Sequence, residues 1–363
     1  MTQVKYITDA QKLLLQVATQ PRETAIAAWE AWKTIVDLDE SDAASYQLLP
    51  LVYRNLSNYG YQDDLMPKLK GIYRLRWCKN QVILQLFVKI LHILQQSGIE
   101  AIILKDVALL SQYYPDLGQR NIYILAILVH PQQALKTREF LNELGWQESE
   151  KLTPKVLQTK NVINFYGQPD CQLELHWYLT GISIKKTFEQ VKFLQLQDIS
   201  TLFLNSEAQL IQLLLQKTSG DQVSHILWIN DILMVLNQEN NFDFERIILL
   251  LSKYALIGNL PEKIPMLAEV ADLIKPQIFV ESIKKINSYN KIDLCEPDLI
   301  KPHRTAWQIF RVRYKEYLRI AANRGENFNI FGFIKYLQVI WELQYLWQVP
   351  IKVVKWNIKN RVI

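Results

Sequence analysis

The chain has 363 residues, 49% of them hydrophobic, with 13 prolines and 11 glycines scattered through it; it can bury a substantial core and is too evenly mixed for disorder or a repeat array. Three cysteines (Cys78, Cys171, Cys295) stand far apart with no Cys-x-x-Cys pair, and His92, His130, His176, His225 and His303 lack ligand spacing, which argues against a disulfide framework or an imidazole metal site and for small core thiols in a reducing cytoplasm. The charge of +5 is uneven: residues 301–363 carry 12 Lys and Arg against 3 Asp and Glu, or +9, leaving −4 on residues 1–300.

The opening Met1–Gln16 has no basic segment followed by an unbroken apolar run, so no signal peptide is expected. Apolar residues recurring at three and four predict helices over Asp9–Ala18, Glu23–Val36 and Ser41–Ser57 and a long pair across Met66–Ser97. Residues 1–97 thus form a helical lobe, in which Asp42 serves as a first-turn acid. After Gly98 the pattern changes to a short β-branched run ending at Leu104, the first predicted strand. A helix over Val107–Tyr113 stops at Pro115, the Asp116-Leu117-Gly118 turn follows, and Ile122–Val129 is the second strand. His130-Pro131 opens a helix over Gln132–Leu144 that Gly145 closes. Val162–Tyr166 and Leu173–Tyr178, joined by Gly167-Gln168-Pro169-Asp170, are expected to make a hairpin and complete an α/β core over residues 98–200.

Residues 201–300 return to helical period, with helices expected over Glu207–Lys217, Val223–Leu236, Phe244–Tyr254 and Leu267–Tyr289. Breaks are expected near Gly220, Asn237–Asn241 and Gly258–Pro265. Residues 301–363 form a basic aromatic tail, with helices over Ala306–Asn323 and Phe331–Trp347 ending near Pro350; polar residues interrupt it too often for a membrane span. Its interleaved aromatics and cations suit a membrane surface or nucleic acid. They equally suit helices whose aromatics pack on the body while the cations face water. The fold class is α+β: a small mixed β-sheet flanked by N-terminal and C-terminal helical regions.

Four segments in order carry a resemblance. They are Leu104-Lys105-Asp106; Tyr114-Pro115 with Arg120; the strand Ile124 to Val129; and Leu173-Glu174-Leu175-His176-Trp177. Together they resemble the bacterial uncharacterised nucleotidyltransferase family, whose pattern runs leucine-lysine-glycine, tyrosine-proline and arginine, an Asp-x-Asp strand, then a histidine-tryptophan strand. The stretch from Glu207 through Leu227-Trp228-Ile229-Asn230-Asp231 is similar to the helices that follow, extending the likeness over most of residues 20–240.

The resemblance implies a nucleotidyltransferase-type sheet, and a reaction in which two magnesium ions, held by three carboxylates, clamp the attacking and leaving oxygens. It places the Asp-x-Asp pair on Ile124 and Ala126, neither of which binds a cation. Glu174 keeps the third carboxylate position, and Asp106 replaces the glycine, adding bulk and negative charge where a triphosphate would lie. Asp106 and Glu174 are therefore the candidate catalytic groups, either rebuilding a single-metal site or, for Asp106, only capping the following helix. Lys105, Arg120 and His176 are the candidate nucleotide- and phosphate-binding residues. The structural alternatives are pairing of Lys105 or Arg120 with Asp106, Asp116 or Glu174, and a hydrogen-bonded structural His176. Asp231 matches a position that braces the site from the helices, or is a solvated or capping aspartate.

Three functions follow from the resemblance and the tail. One is a catalytically degenerate nucleotidyltransferase, without a cofactor, that binds a nucleoside triphosphate or a protein or peptide partner. Another is an active magnesium-dependent transferase using Asp106, Glu174 or Asp231 in altered roles. The third is an adaptor that binds a membrane surface or nucleic acid through residues 301–363. The expected location is the cytoplasm, free or peripheral to the membrane.

Overall fold

The computed structural model describes residues 6–167, 171–179, 184–215, 222–238, 242–254, 260–274, 279, 281, 306–324 and 329–359. In chain order the first elements are α1 (Asp9–Thr19), α2 (Arg22–Lys33), α3 (Ala43–Asn58), α4 (Met66–Gln96), β1 (Ala101–Leu104), α5 (Lys105–Tyr113) and β2 (Ile124–Val129). Then come α6 (Ala134–Glu143), β3 (Gln147–Glu148), α7 (Pro154–Thr159), β4 (Val162–Gly167), β5 (Cys171–His176), α8 (Ile184–Glu189), β6 (Val191–Leu196) and β7 (Ile199–Leu204). They are followed by α9 (Ser206–Leu215), α10 (Gln222–Gln238), α11 (Phe244–Tyr254) and α12 (Leu260–Glu269), and by the C-terminal helices Ala306–Arg324, Ile330–Ile340 and Gln348–Lys359. The strands are hydrogen-bonded in the order β3-β4-β5-β2-β1-β7-β6, a mixed sheet that bears out the α+β expectation. The chain divides inside β2 into two compact units.

The first unit comprises residues 1–126 and 190–291. Local chemistry fixes its helix ends. Thr8 and Gln11 form a reciprocal capping box at the start of α1, and Asp42 is the N-cap of α3, accepting from the amides of Ala44 and Ser45 at 2.9 Å. Asp63 accepts from the amides of Leu65 and Met66 where α4 begins, and Gly98, at φ 70°, lets the chain leave α4 in the left-handed region. β1 runs parallel to β7, with Ile102 opposite Leu202, while β6 and β7 form an antiparallel hairpin. α4 and α9 pack on β7, and α10 packs against α1, α3 and α5.

The second unit comprises residues 127–189 and 292–363. Its strands β3, β4 and β5 are antiparallel, with Asn164 opposite Glu174, and α6 packs on β3 and β5. Gly167 has no room for a side chain, because a Cβ there would lie 2.7 Å from the Trp146 ring. The helix Ile330–Ile340 packs on α7.

Several sequence expectations change. The predicted helical pair across Met66–Ser97 is the single helix α4, whose polar Asn80 points into the protein instead of breaking the helix. Residues 191–204 form the hairpin β6–β7, for which the sequence carries no clear turn signal. The tail helix predicted to end near Pro350 ends at Ile340, and Pro350 falls in the first turn of the next helix, where its missing N–H costs nothing. Of the helix expected over Leu267–Tyr289, residues 267–269 end α12, 270–273 form a turn, and 279 and 281 are helical, while 275–278, 280 and 282–289 lie outside the described residues; the breaks expected at 237–238 and 260–265 are helical instead, within α10 and α12, and those at Gly220, 239–241 and 258–259 and the turn at 168–170 lie outside the described residues. Cys171 is buried and Cys78 is exposed, so the expectation of core thiols holds for the first and fails for the second; Cys295 lies outside the described residues. No described helix is long and apolar enough to cross a membrane.

Candidate functional site

The four resembling segments lead to two polar centres, one in each unit. In the first unit, β1 passes directly into α5 through Lys105, whose φ of 54° lies in the left-handed region that favours glycine. Asp106 follows in the first turn of α5, but it does not cap that helix. The N-cap is Leu104, which makes no side-chain cap bond. Asp106 instead turns to the entrance of β2: Oδ2 accepts from the amides of Tyr123 (2.8 Å) and Ile124 (2.9 Å), and Oδ1 accepts from Arg120 Nη2 at 2.9 Å. The capping role expected for Asp106 is thus replaced by a tie between the start of α5 and the start of β2.

Arg120 is nearly sealed from solvent, with 7% of its side chain exposed. Its Nε donates to Asp231 Oδ1 at 2.7 Å and its Nη2 to Asp231 Oδ2 at 2.9 Å, the parallel two-point geometry in which a guanidinium best matches a carboxylate. Nη1 donates to the Asn121 carbonyl at 3.0 Å. Asp231 is held in turn by the Tyr114 hydroxyl at 2.7 Å, and Asn230 donates to that hydroxyl at 2.7 Å. Burial by itself lowers the pKa of Arg120, but the carboxylates of Asp231 and Asp106 outweigh it and raise the value well above the ordinary one. Burial, reinforced by the charge of Asp231, likewise raises Tyr114 far above its usual range, so its phenol stays protonated as a donor.

The loop that delivers Arg120 is built from the turn residues the sequence displays. Asp116 Oδ1 accepts from the Gly118 amide (2.8 Å), Gln119 Oε1 accepts from the Asp116 amide (3.0 Å), and the Tyr73 hydroxyl donates to Asp116. A Cβ at Gly118 would lie 2.3 Å from the Tyr73 ring, so only glycine fits. Asn80 of α4, fully buried, donates to the carbonyls of Leu117 (2.6 Å) and Arg120 (2.7 Å) and accepts from the Ile122 amide (3.2 Å). Asn80 and Asn230 do not stand out as site residues in the sequence. A signal for the first was present: Asn80 interrupts the stripe continued by Leu84, Phe87, Leu91 and Leu94, all buried.

In the second unit Glu174 and His176 project to one face of β5, as residues two apart on a strand must. His176 Nε2 lies 2.7 Å from Glu174 Oε2, and both side chains are largely buried. Trp177 is fully buried and donates to the Leu157 carbonyl at 3.2 Å. The structure thus brings Asp106, Arg120 and Asp231 together, and separately Glu174 and His176.

The positions that the resemblance assigns to the metal-binding pair are apolar, and Ala126 is fully buried. A magnesium ion requires oxygen ligands, Ile124 and Ala126 offer none, and both oxygens of Asp106 are engaged within the protein. Among the described residues no three His, Cys, Asp or Glu side chains are disposed to hold a metal ion. These residues do not fit a two-magnesium centre.

No curated protein matches the chain. The family model described as an uncharacterised nucleotidyltransferase matches residues 36–257, a span that takes in Asn80, Asp106, Arg120, Glu174, His176 and Asp231. With more than half of its length matched in this way and a mixed sheet flanked by helices, the chain belongs to the uncharacterised nucleotidyltransferase family.

Proposed function

We propose that this protein keeps the nucleotidyltransferase fold without its metal-dependent transfer and acts by binding, either to a nucleotide or to a protein or peptide partner. The observation that carries the reading is the internal engagement of Asp106 and Arg120. A carboxylate that accepts from two backbone amides and a buried guanidinium has most of its lone-pair directions committed within the protein, so binding a cation would mean giving up one of those bonds. An arginine that spends its fork on Asp231 is not presented to a triphosphate. The apolar residues at 124 and 126 support the same reading, because transfer in this fold relies on carboxylates to hold both metals.

One observation favours a second reading. The Glu174–His176 contact joins a carboxylate to an imidazole, an arrangement suited to proton transfer, and it supports an active transferase with a rearranged, magnesium-requiring site. Thermal unfolding of the full chain with each nucleoside triphosphate, with and without magnesium, separates the two, since a ligand that binds only the folded state raises its stability by roughly 2.7 kcal/mol at a hundred times its dissociation constant. The binding reading expects any rise to be the same with and without magnesium, and no release of pyrophosphate. A magnesium-dependent rise, with pyrophosphate release that Glu174→Gln abolishes, overturns it.

A further inference from the structure

The C-terminal helices carry more apolar surface than their own packing uses. Tyr317, Ala321, Phe333, Tyr336, Leu337 and Val349 form a shared core. In it Phe333 sits edge-on to Phe310 and Tyr314 with ring centroids 5.0 Å apart, and the Tyr336 hydroxyl donates to Glu316 at 2.9 Å. The alternative in which the tail aromatics are packed therefore fits Tyr317, Phe333 and Tyr336, although they pack on one another within the tail. It fails for Phe331 and Trp347, which are 65% and 62% exposed, and for Tyr314 and Tyr345, which are also exposed; the aliphatic Ile330, 77% exposed, and Ile351 stand out beside them. Tyr345 and Trp347 stack with centroids 6.1 Å apart and planes 12° apart, forming one flat aromatic unit at the surface.

Cations alternate with these residues along the chain. Arg311, Lys315, Lys335 and Lys352 are exposed, and Lys352 Nζ lies 5.7 Å from the Trp341 ring centroid. Arg313 pairs with Glu316, and residues 301–363 carry +9 in all, from 12 cations against 3 acids. Exposed large apolar side chains on a strongly cationic surface match the two demands of one partner: an apolar boundary beneath a layer of negative charge.

We propose that this surface docks on an anionic lipid bilayer, with Ile330, Phe331, Trp347 and Ile351 entering the boundary between headgroups and acyl chains and the lysines and arginines facing the lipid phosphates. Tyr345 and Trp347 suit that depth because each has an apolar body and a polar edge. The occupant is a bilayer and not a single-stranded nucleic acid, because Ile330 and Ile351 gain nothing from stacking against bases, whereas burial in an apolar boundary rewards them. The helices lie on the membrane and do not cross it.

This surface does not depend on the nucleotidyltransferase reading, and it is tested with the full-length protein by co-sedimentation with vesicles of phosphatidylcholine alone or mixed with phosphatidylglycerol. The protein is expected to pellet with the mixed vesicles at low salt, to be released as salt is raised, and to stay in solution with phosphatidylcholine alone. The double variant Phe331→Ser and Trp347→Ser, changing exposed side chains and checked for an intact fold by circular dichroism and thermal unfolding, should weaken binding by about tenfold or more. A protein that stays in solution with anionic vesicles at low salt overturns the proposal. So does vesicle binding that the double variant leaves unchanged, or binding to single-stranded RNA in place of vesicles.

Discussion

Arg120 takes a positive charge into the first unit, and its surroundings are arranged to make that tolerable. Two carboxylates, two backbone amides and a tyrosine hydroxyl complete a network in which the charges of Asp106 and Asp231 are answered by the guanidinium and by the amides of Tyr123 and Ile124. Removing one partner of a buried ion pair strands the other. Asp231→Ala should therefore lower the unfolding free energy by about 3–5 kcal/mol in urea titration. Asp106→Gly, which restores the glycine of the family pattern, should cost less, about 1–3 kcal/mol, because Arg120 keeps its two-point contact with Asp231. Equal losses, or a loss below about 1 kcal/mol for Asp231→Ala, would show that the network is not organised around that contact.

Asp63 makes the corresponding argument for pH. Burial alone pushes its pKa up, but hydrogen bonds from Trp29, Lys33 and the Leu65 amide outweigh burial and hold it below the ordinary aspartate range. A carboxylate whose folded pKa is depressed stabilises the fold above its unfolded pKa, and that contribution disappears as pH falls through the folded value. The prediction is that Asp63→Asn lowers stability at neutral pH and flattens its fall on acidification below about pH 4. Urea titrations across that range on both proteins check the slope; parallel curves would contradict the assignment.

Elements differ in how openly the sequence declares them, and the reason is turn chemistry. α1, α3 and the hairpin β4–β5 carry caps or Gly-Pro turn residues, and the expected spans agree with the structure to within about two residues. The hairpin β6–β7 is hidden in the sequence because its two-residue turn is Gln197-Asp198, without the glycine that usually marks such a turn. Gln197 nevertheless adopts φ 54°. Gln197→Gly should therefore stabilise the protein by about 0.5–1 kcal/mol, the relief of left-handed strain exceeding the extra flexibility of the unfolded chain. An unchanged or lower melting temperature would mean that the side chain compensates for its backbone. The same logic explains the tail: Pro350 reads as a stop signal and is a start, while the preceding helix ends near Glu342, at φ 55°, with no glycine to advertise it.

At the scale of the whole chain, the order of short motifs was enough to give the fold class, because strand and helix periods alternate visibly from Gly98 to Trp177. The site was only partly legible. The positions of Asp106, Arg120, Glu174, His176 and Asp231 could be picked out along the sequence, but which oxygen meets which nitrogen depends on contacts between residues as far apart as 106 and 231, and no local pattern encodes that choice. Charge is likewise a property of the whole: the near-balance of 41 cations and 36 acids conceals a strongly basic end.

Asn80 has a consequence of a different kind. One side chain closes three hydrogen bonds on the segment from Leu117 to Ile122, using both amide donors and the carbonyl. Aspartate has the shape but lacks the donors, and leucine has the volume but neither function. The segment is a loop by backbone pattern, yet its attachment to a 31-residue helix gives it the behaviour of a core element. In hydrogen exchange the Ile122 amide should stay protected until the helix itself opens, which makes this connection part of the slowest cooperative unit and unsuited to serve as a moving flap.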